Sequence, residues 1–201
     1  YGVYGIAPSI NACQAIDLGY SILLEKPISP SVRECLDLQR RAEEKGTQIM
    51  VCHVRRYTKF YRKLKELIDS GVIGDVVHVT HTENVAYWHY AHSYVRGNWH
   101  KTADSSPMIL AKCCHDMDIL SWLLGSRCRM VSSFGDLRYF REENAPAGSP
   151  ARCTDGCPHS GSCPYYAPAL YLDDNTPWPT ALTALGPDQS YEARKKALEE
   201  G

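Results

Sequence analysis

Between residues 9 and 53 the sequence alternates helix, short apolar strand, helix, short apolar strand, and few folds accept that order. Residues 9–19 (SINACQAIDLG) place Ile10, Ala12, Cys13, Ala15, Ile16 and Leu18 at helical spacing, with Gly19 where a helix end tolerates positive φ. Residues 21–24 (SILL) form a short buried strand stopped by Glu25-Lys26-Pro27. Ser31, with Glu34 three residues on, is a capping box that opens a second helix running to Lys45 and Gly46. Residues 48–53 (QIMVCH) supply the next strand. Apolar strands that alternate with helices predict an α/β fold with a parallel sheet.

The pattern then changes. Residues 57–70 are an amphipathic helix with Phe60, Leu64, Leu67 and Ile68 on one face, ended by Gly71 and Gly74. Residues 76–84 (VVHVTHTEN) alternate in period two, as a half-buried strand of an antiparallel sheet does. An aromatic and polar loop is expected over 85–104, a helix over 108–124, and one or two strands over 129–140. Beyond 142 the chain is rich in Pro, Gly and Cys until a polar helix at 191–200.

Composition excludes several function classes. Lys and Arg number 22 against 23 Asp and Glu, so no basic excess is available to neutralise a phosphate backbone, and nucleic acid is not an expected partner. No apolar run approaches the length of a bilayer span, and no membrane partner is expected. The start has neither an initiator Met nor a basic segment followed by an apolar one, and the nine cysteines are odd in number, so a reducing cytoplasm is the expectation rather than a disulfide framework.

At Ala15-Ile16-Asp17-Leu18-Gly19-Tyr20-Ser21-Ile22-Leu23-Leu24-Glu25-Lys26-Pro27 the sequence resembles the signature of the Gfo/Idh/MocA oxidoreductases. Three later segments are similar to that family as well: Val51-Cys52-His53-Val54-Arg55-Arg56-Tyr57, Leu67-Ile68-Asp69-Ser70-Gly71-Val72-Ile73-Gly74-Asp75, and Cys114-His115-Asp116-Met117-Asp118. The resemblance covers roughly residues 9–140. It implies a partial NAD(P)-binding Rossmann domain over 1–55, then a partial α+β substrate and dimerisation domain over 56–201 with a Cys-rich loop at 153–163. It further implies NAD or NADP as cofactor, a sugar-like small-molecule substrate, and a homo-oligomeric parent protein.

Two departures stand out. A Rossmann half opens with strand, Gly-x-Gly-x-x-Gly and helix, which hold the pyrophosphate. Gly2-Val3-Tyr4-Gly5 does not have that spacing, and Glu25 is already part of Glu-Lys-Pro. The chain therefore reads as an internal fragment, inactive and poorly soluble alone. Where the family often carries an Asp four residues before the active-site His, this sequence has Ala111, with Lys112 beside it.

The resemblance implies a cofactor-binding set of Glu25, Lys26, Pro27 and His53, and catalytic roles for Lys26 and His115. Lys26 can polarise a developing carbonyl, and His115 can take the hydroxyl proton. The alternatives are a strand-end lysine in solvent and a structural histidine. Lys112, on the face of His115, either joins the proton relay or extends to solvent. Asp118 lies three residues beyond His115 and can orient its ring or touch substrate. Arg56 either pairs with a substrate hydroxyl or carboxylate or belongs to a solvated basic turn. Arg96, Asn98 and Trp99 suit a sugar-like ligand, and the neighbouring aromatics Trp88 and Tyr90 equally suit core packing. Cys153, Cys157, His159 and Cys163 could hold zinc or, with Cys128, an iron–sulfur cluster, or could be incidental thiols.

Two rival readings remain open on sequence alone. One is a non-catalytic relative serving as a binding or scaffold protein; the other is a zinc-stabilised interaction module.

Overall fold

The computed structural model describes residues 8–97, 99–173, 188 and 190–200. They are mostly helical with one small parallel sheet. The chain divides into two compact units, Tyr1–Asn84 with Asn98–Ser132, and Val85–Gly97 with Ser133–Gly201.

In the first unit the expected alternation is present as α1 (Pro8–Asp17), β1 (Ile22–Leu24), α2 (Val32–Lys45) and β2 (Ile49–Val51). The strands pair in parallel, with Ile22 opposite Ile49 and Leu24 opposite Val51. Ala12, Ile16, Leu24, Leu38 and Ala42 form the core between sheet and helices, packed by Cys13, Ile22, Ile28 and Ile49. Of the period-3.6 positions read from the sequence in α1, Ala12 and Ile16 bury and Cys13 packs beside them, while Leu18, past the end of the helix, is 76% exposed. Ser31 caps α2 by accepting from the Glu34 backbone N–H, but Glu34 takes its own hydrogen bond from the Ser29 hydroxyl. Ser29 Oγ in turn accepts from the Ser31 N–H at 3.0 Å, so the capping box closes through a third residue. Gly46 ends α2 at φ 65°, a left-handed conformation that costs glycine nothing.

After β2 the chain makes a 3₁₀ turn at Val54–Tyr57 and enters α3 (Lys59–Asp69), capped by Thr58. The expected helix over 108–124 is broken into α5 (Met108–Ala111) and α6 (Cys114–Leu124), with the interruption at Lys112 and Cys113. The antiparallel sheet expected over 76–84 and 129–140 is not formed among the described residues. Both stretches run without ladder partners, and Val77 and Phe134 are 95% and 96% exposed. Alternation favours a strand only where another strand meets its backbone groups, and the two stretches do not pair with each other.

In the second unit, the segment expected to be loop carries α4 (Tyr87–Tyr90) and a π-helix over Ala91–Arg96. His92 and Tyr171, the last residue of α7 (Ala167–Tyr171), are buried and hydrogen-bonded at 2.7 Å. The buried Arg194 of α8 (Tyr191–Glu200) donates to the Tyr171 carbonyl at 3.0 Å, which docks the terminal helix. Tyr87, Tyr139 and Phe140 gather around Tyr165 with ring centroids 5.0–5.7 Å away. No helix among the described residues is long and apolar enough to cross a membrane.

Candidate functional site

The candidate site lies in the first unit, where the C-terminal ends of β1 and β2 meet the break between α5 and α6. Lys26 stands two residues past the end of β1, and its Nζ donates to the carbonyl of Ala111 at 2.9 Å, across 85 residues of sequence. Ala111 ends α5, so its carbonyl is free of a complete helical ladder and can accept from a side chain. His115 stands in the first turn of α6 and is 9% exposed. The His53 ring, at the end of β2, meets it edge-on with centroids 6.2 Å apart. Lys26, His53, Lys112 and His115, named from the sequence, thus lie around one locus, with Glu25 and Pro27 half-buried beside Lys26.

Burial holds the His115 imidazole neutral, and the positive charges of Lys26, Arg55, His53 and Lys112 add to the effect; its pKa falls to about 4. Burial also lowers the pKa of His53, against the pull of Asp118 and with the help of Arg56 and Lys26. The Nδ1 atoms of both rings are buried without a protein partner. Burial raises the Cys52 thiol pKa, and the neighbouring Glu25 raises it further.

Behind these residues runs an ionic network that the sequence reading missed. Arg55 grips Glu83 with both terminal nitrogens, at 3.1 and 2.7 Å, and reaches Asp116 Oδ1 at 3.1 Å. Lys112 adds a contact to Glu83 at 3.3 Å, and His81 Nε2 lies 2.8 Å from Asp116 Oδ1. The Arg55 hydrogen bond dominates in holding the Glu83 carboxyl down to a pKa of about 2. One signal was available beforehand: His81 and Glu83 are two apart in an alternating segment and share a face, and Asp116 is one helical turn from Lys112.

His81, Glu83 and Asp116 present ligand atoms within 4.8 Å of one another. The two carboxylates already carry Arg55 and Lys112 as counterions, so the set is neutralised without a metal. Cys153, Cys157, His159 and Cys163 are not among the ligand groupings found in the described residues. His159 Nε2 is hydrogen-bonded to the Ala147 carbonyl at 2.9 Å, and the three cysteines are half-buried free thiols.

The expected substrate residues disperse. Arg56 and Asp118 bind each other, Nε to Oδ2 at 2.8 Å and Nη2 to Oδ1, with the guanidinium 6.0 Å from the Trp122 ring. Asp118 Oδ1 also faces His53 Nε2 at 3.7 Å. Arg96 belongs to the second unit, where it donates to the Tyr165 carbonyl. Trp99 is in the first unit and 41% exposed; Asn98 lies outside the described residues.

Comparison with known proteins finds one family model, two relatives and one solved structure to set beside this geometry. A family model described as the GFO/IDH/MocA C-terminal domain matches residues 61–157. Inositol 2-dehydrogenase 3 of Saccharopolyspora erythraea is 30% identical over 122 residues, covering 60% of this chain and 33% of that protein. The 2,7-anhydro-N-acetylneuraminate hydratase of Mediterraneibacter gnavus is 29% identical over 122 residues, covering 61% and 32%. The chain spans about a third of the length of the curated relatives it matches. Among solved structures, myo-inositol 2-dehydrogenase from Lactobacillus plantarum superposes with a TM-score of 0.51 at 20% identity, over 61% of this chain and 36% of that one. That likeness shows a dehydrogenase fold over the matched part.

Proposed function

The chain is a partial-length relative of the Gfo/Idh/MocA oxidoreductases, and from that premise we propose that it carries the reacting end of an NAD- or NADP-dependent enzyme acting on a hydroxyl or carbonyl of a sugar, polyol or similar small molecule. The observation that carries this reading is the Lys26–Ala111 hydrogen bond, which brings the strand-end ammonium to the helix break that precedes His115.

The residues present fit the nicotinamide end of such a cofactor. Glu25, Lys26 and Pro27 follow one parallel strand, His53 follows its neighbour, and the buried Nδ1 of His53 has no protein partner. A nicotinamide held by these residues would supply the hydride-accepting chemistry for the substrate carbon. Lys26 donates to the substrate oxygen as it becomes a carbonyl, and neutral His115 accepts the hydroxyl proton on a ring nitrogen. In the reverse direction the protonated His115 returns that proton while Lys26 hydrogen-bonds the carbonyl oxygen. Lys112 holds Glu83 and, through it, Arg55, which keeps the start of α6 in place. Nine free thiols support a reducing, cytoplasmic setting, and a homo-oligomeric parent is part of the same reading.

The test is nicotinamide reduction on a panel of polyols and sugars by the longer parent protein that contains this chain, with Lys26→Met and His115→Ala variants checked for an unchanged melt. Turnover that both variants lose supports the reading. Cofactor binding without turnover on any member of the panel supports the second reading, a non-catalytic binding protein. Ala111 in place of an acid, and a His115 of low proton affinity, favour that alternative.

A further inference from the structure

The charges around Lys26 are unevenly committed. Its ammonium has three donors, and the protein acceptor it meets is the uncharged carbonyl of Ala111. Among the described residues no carboxylate stands within ion-pair distance of it, and residue 111 has no acid to offer. The nearby carboxylates are held elsewhere. Glu83 is taken by Arg55 and Lys112, Asp116 by Arg55 and His81, and Asp118 by Arg56.

Two buried ring nitrogens, Nδ1 of His53 and Nδ1 of His115, also lack a protein partner. His53 Nε2 faces Asp118 Oδ1 at 3.7 Å, which leaves the buried Nδ1 on the side away from that carboxylate free to exchange a hydrogen bond with a ligand. The locus therefore has a half-buried cation short of an anion, and imidazole nitrogens short of a hydroxyl.

We propose that the ligand taken here is a hydroxy acid, such as a sugar acid, whose carboxylate sits on Lys26 while the neighbouring hydroxyl meets His115 and His53. The proposal rests on the oxidoreductase reading for the fate of that hydroxyl, and on the geometry alone for the carboxylate. It also resolves a difficulty at His115. Lys26, Arg55, Lys112 and His53 press on that ring from the cationic side, and the acids Glu83 and Asp116 are spent on the same cations. A carboxylate set against Lys26 cancels part of that field, so the substrate itself raises the proton affinity of the group that deprotonates it.

The experiment uses the full chain labelled at its histidines, followed by NMR through a pH titration with D-gluconate, with sorbitol (the same polyol without the carboxylate), or with sulfate. We expect gluconate to bind roughly tenfold more tightly than sorbitol and to move the His115 titration upward, with sorbitol leaving it in place. Lys26→Arg should keep that preference and Lys26→Met should erase it. Equal binding of gluconate and sorbitol, a preference that survives Lys26→Met, or sulfate reproducing the whole effect would each overturn the proposal. Failure of the enzyme reading has a different signature: gluconate binds with the stated preference but reduces neither NAD nor NADP. Turnover of sorbitol without gluconate binding would do the reverse, and would overturn the acid-substrate proposal alone.

Discussion

The guanidinium of Arg56 lies on the carboxylate of Asp118 and ties the 3₁₀ turn after β2 to the helix that carries His115. The contact is made through two nitrogens and two oxygens, and Asp118 is nearly buried, so its geometry is fixed from both sides. A residue expected to meet substrate is instead occupied in holding the site together.

Removing one partner leaves the other without its counterion. Asp118→Ala should cost roughly 2 kcal/mol, below the full cost of breaking a buried pair because Arg56 keeps some access to water. Urea denaturation measures it. An unchanged midpoint would mean that the pair contributes no net stability.

Acid should unfold the first unit in two stages. His115 binds its proton less readily in the folded chain, where its pKa is about 4, than at its ordinary value of 6.5. The unfolded chain therefore takes up more protons, and stability falls as pH drops from about 6.5 to about 4. The Glu83 carboxyl is depressed from 4.5 to about 2, so its contribution is complete above 4.5 and drains away as pH falls toward 2. His115→Gln should flatten the upper stage and Glu83→Gln the lower one. Denaturation curves at stepped pH separate them, and a His115→Gln variant that retains the upper slope would contradict the assignment.

Gly97 closes the π-helix so tightly that an added Cβ would collide with the carbonyl oxygen of His92. The obstacle is backbone, which cannot rotate away. Gly97→Ala should destabilise the second unit by about 1–3 kcal/mol, read as a lower melting temperature. A neutral result would show that the turn relaxes at little cost.

The cysteines should behave as nine independent thiols. Thiol titration of the denatured, unreduced chain should count all nine, elemental analysis should find no stoichiometric zinc, and a chelator should leave the melt unchanged. A chelator-sensitive melt would restore the metal reading of Cys153, Cys157, His159 and Cys163.

The parts of the fold legible in the sequence are those fixed by local periodicity. Ile16, Leu24 and Leu38 bury where their spacing says they should, and Ser31, Gly46 and Gly125 mark helix ends because capping is a short-range effect. Lys26 and His115 were found through motif resemblance, since nothing local announces that residues so far apart will meet. The network of Arg55, Glu83 and Asp116 was not found, although Arg55 and Asp116 stand in the family-like segments. Each reads as an ordinary solvated charge until the fold brings the three together. The alternation over residues 76–84 signalled a strand, but pairing is a property of two segments, and the sequence of one cannot supply the other.

The anchor for Lys26 is a peptide oxygen, and every amino acid supplies one. Position 111 can therefore mutate without releasing the ammonium, provided the short helix above it survives. Placement of the lysine and the chemistry next to it are inherited separately. A lineage could discard an acid at that position, or regain one, and retune which substrates it accepts while the lysine stays in the same place.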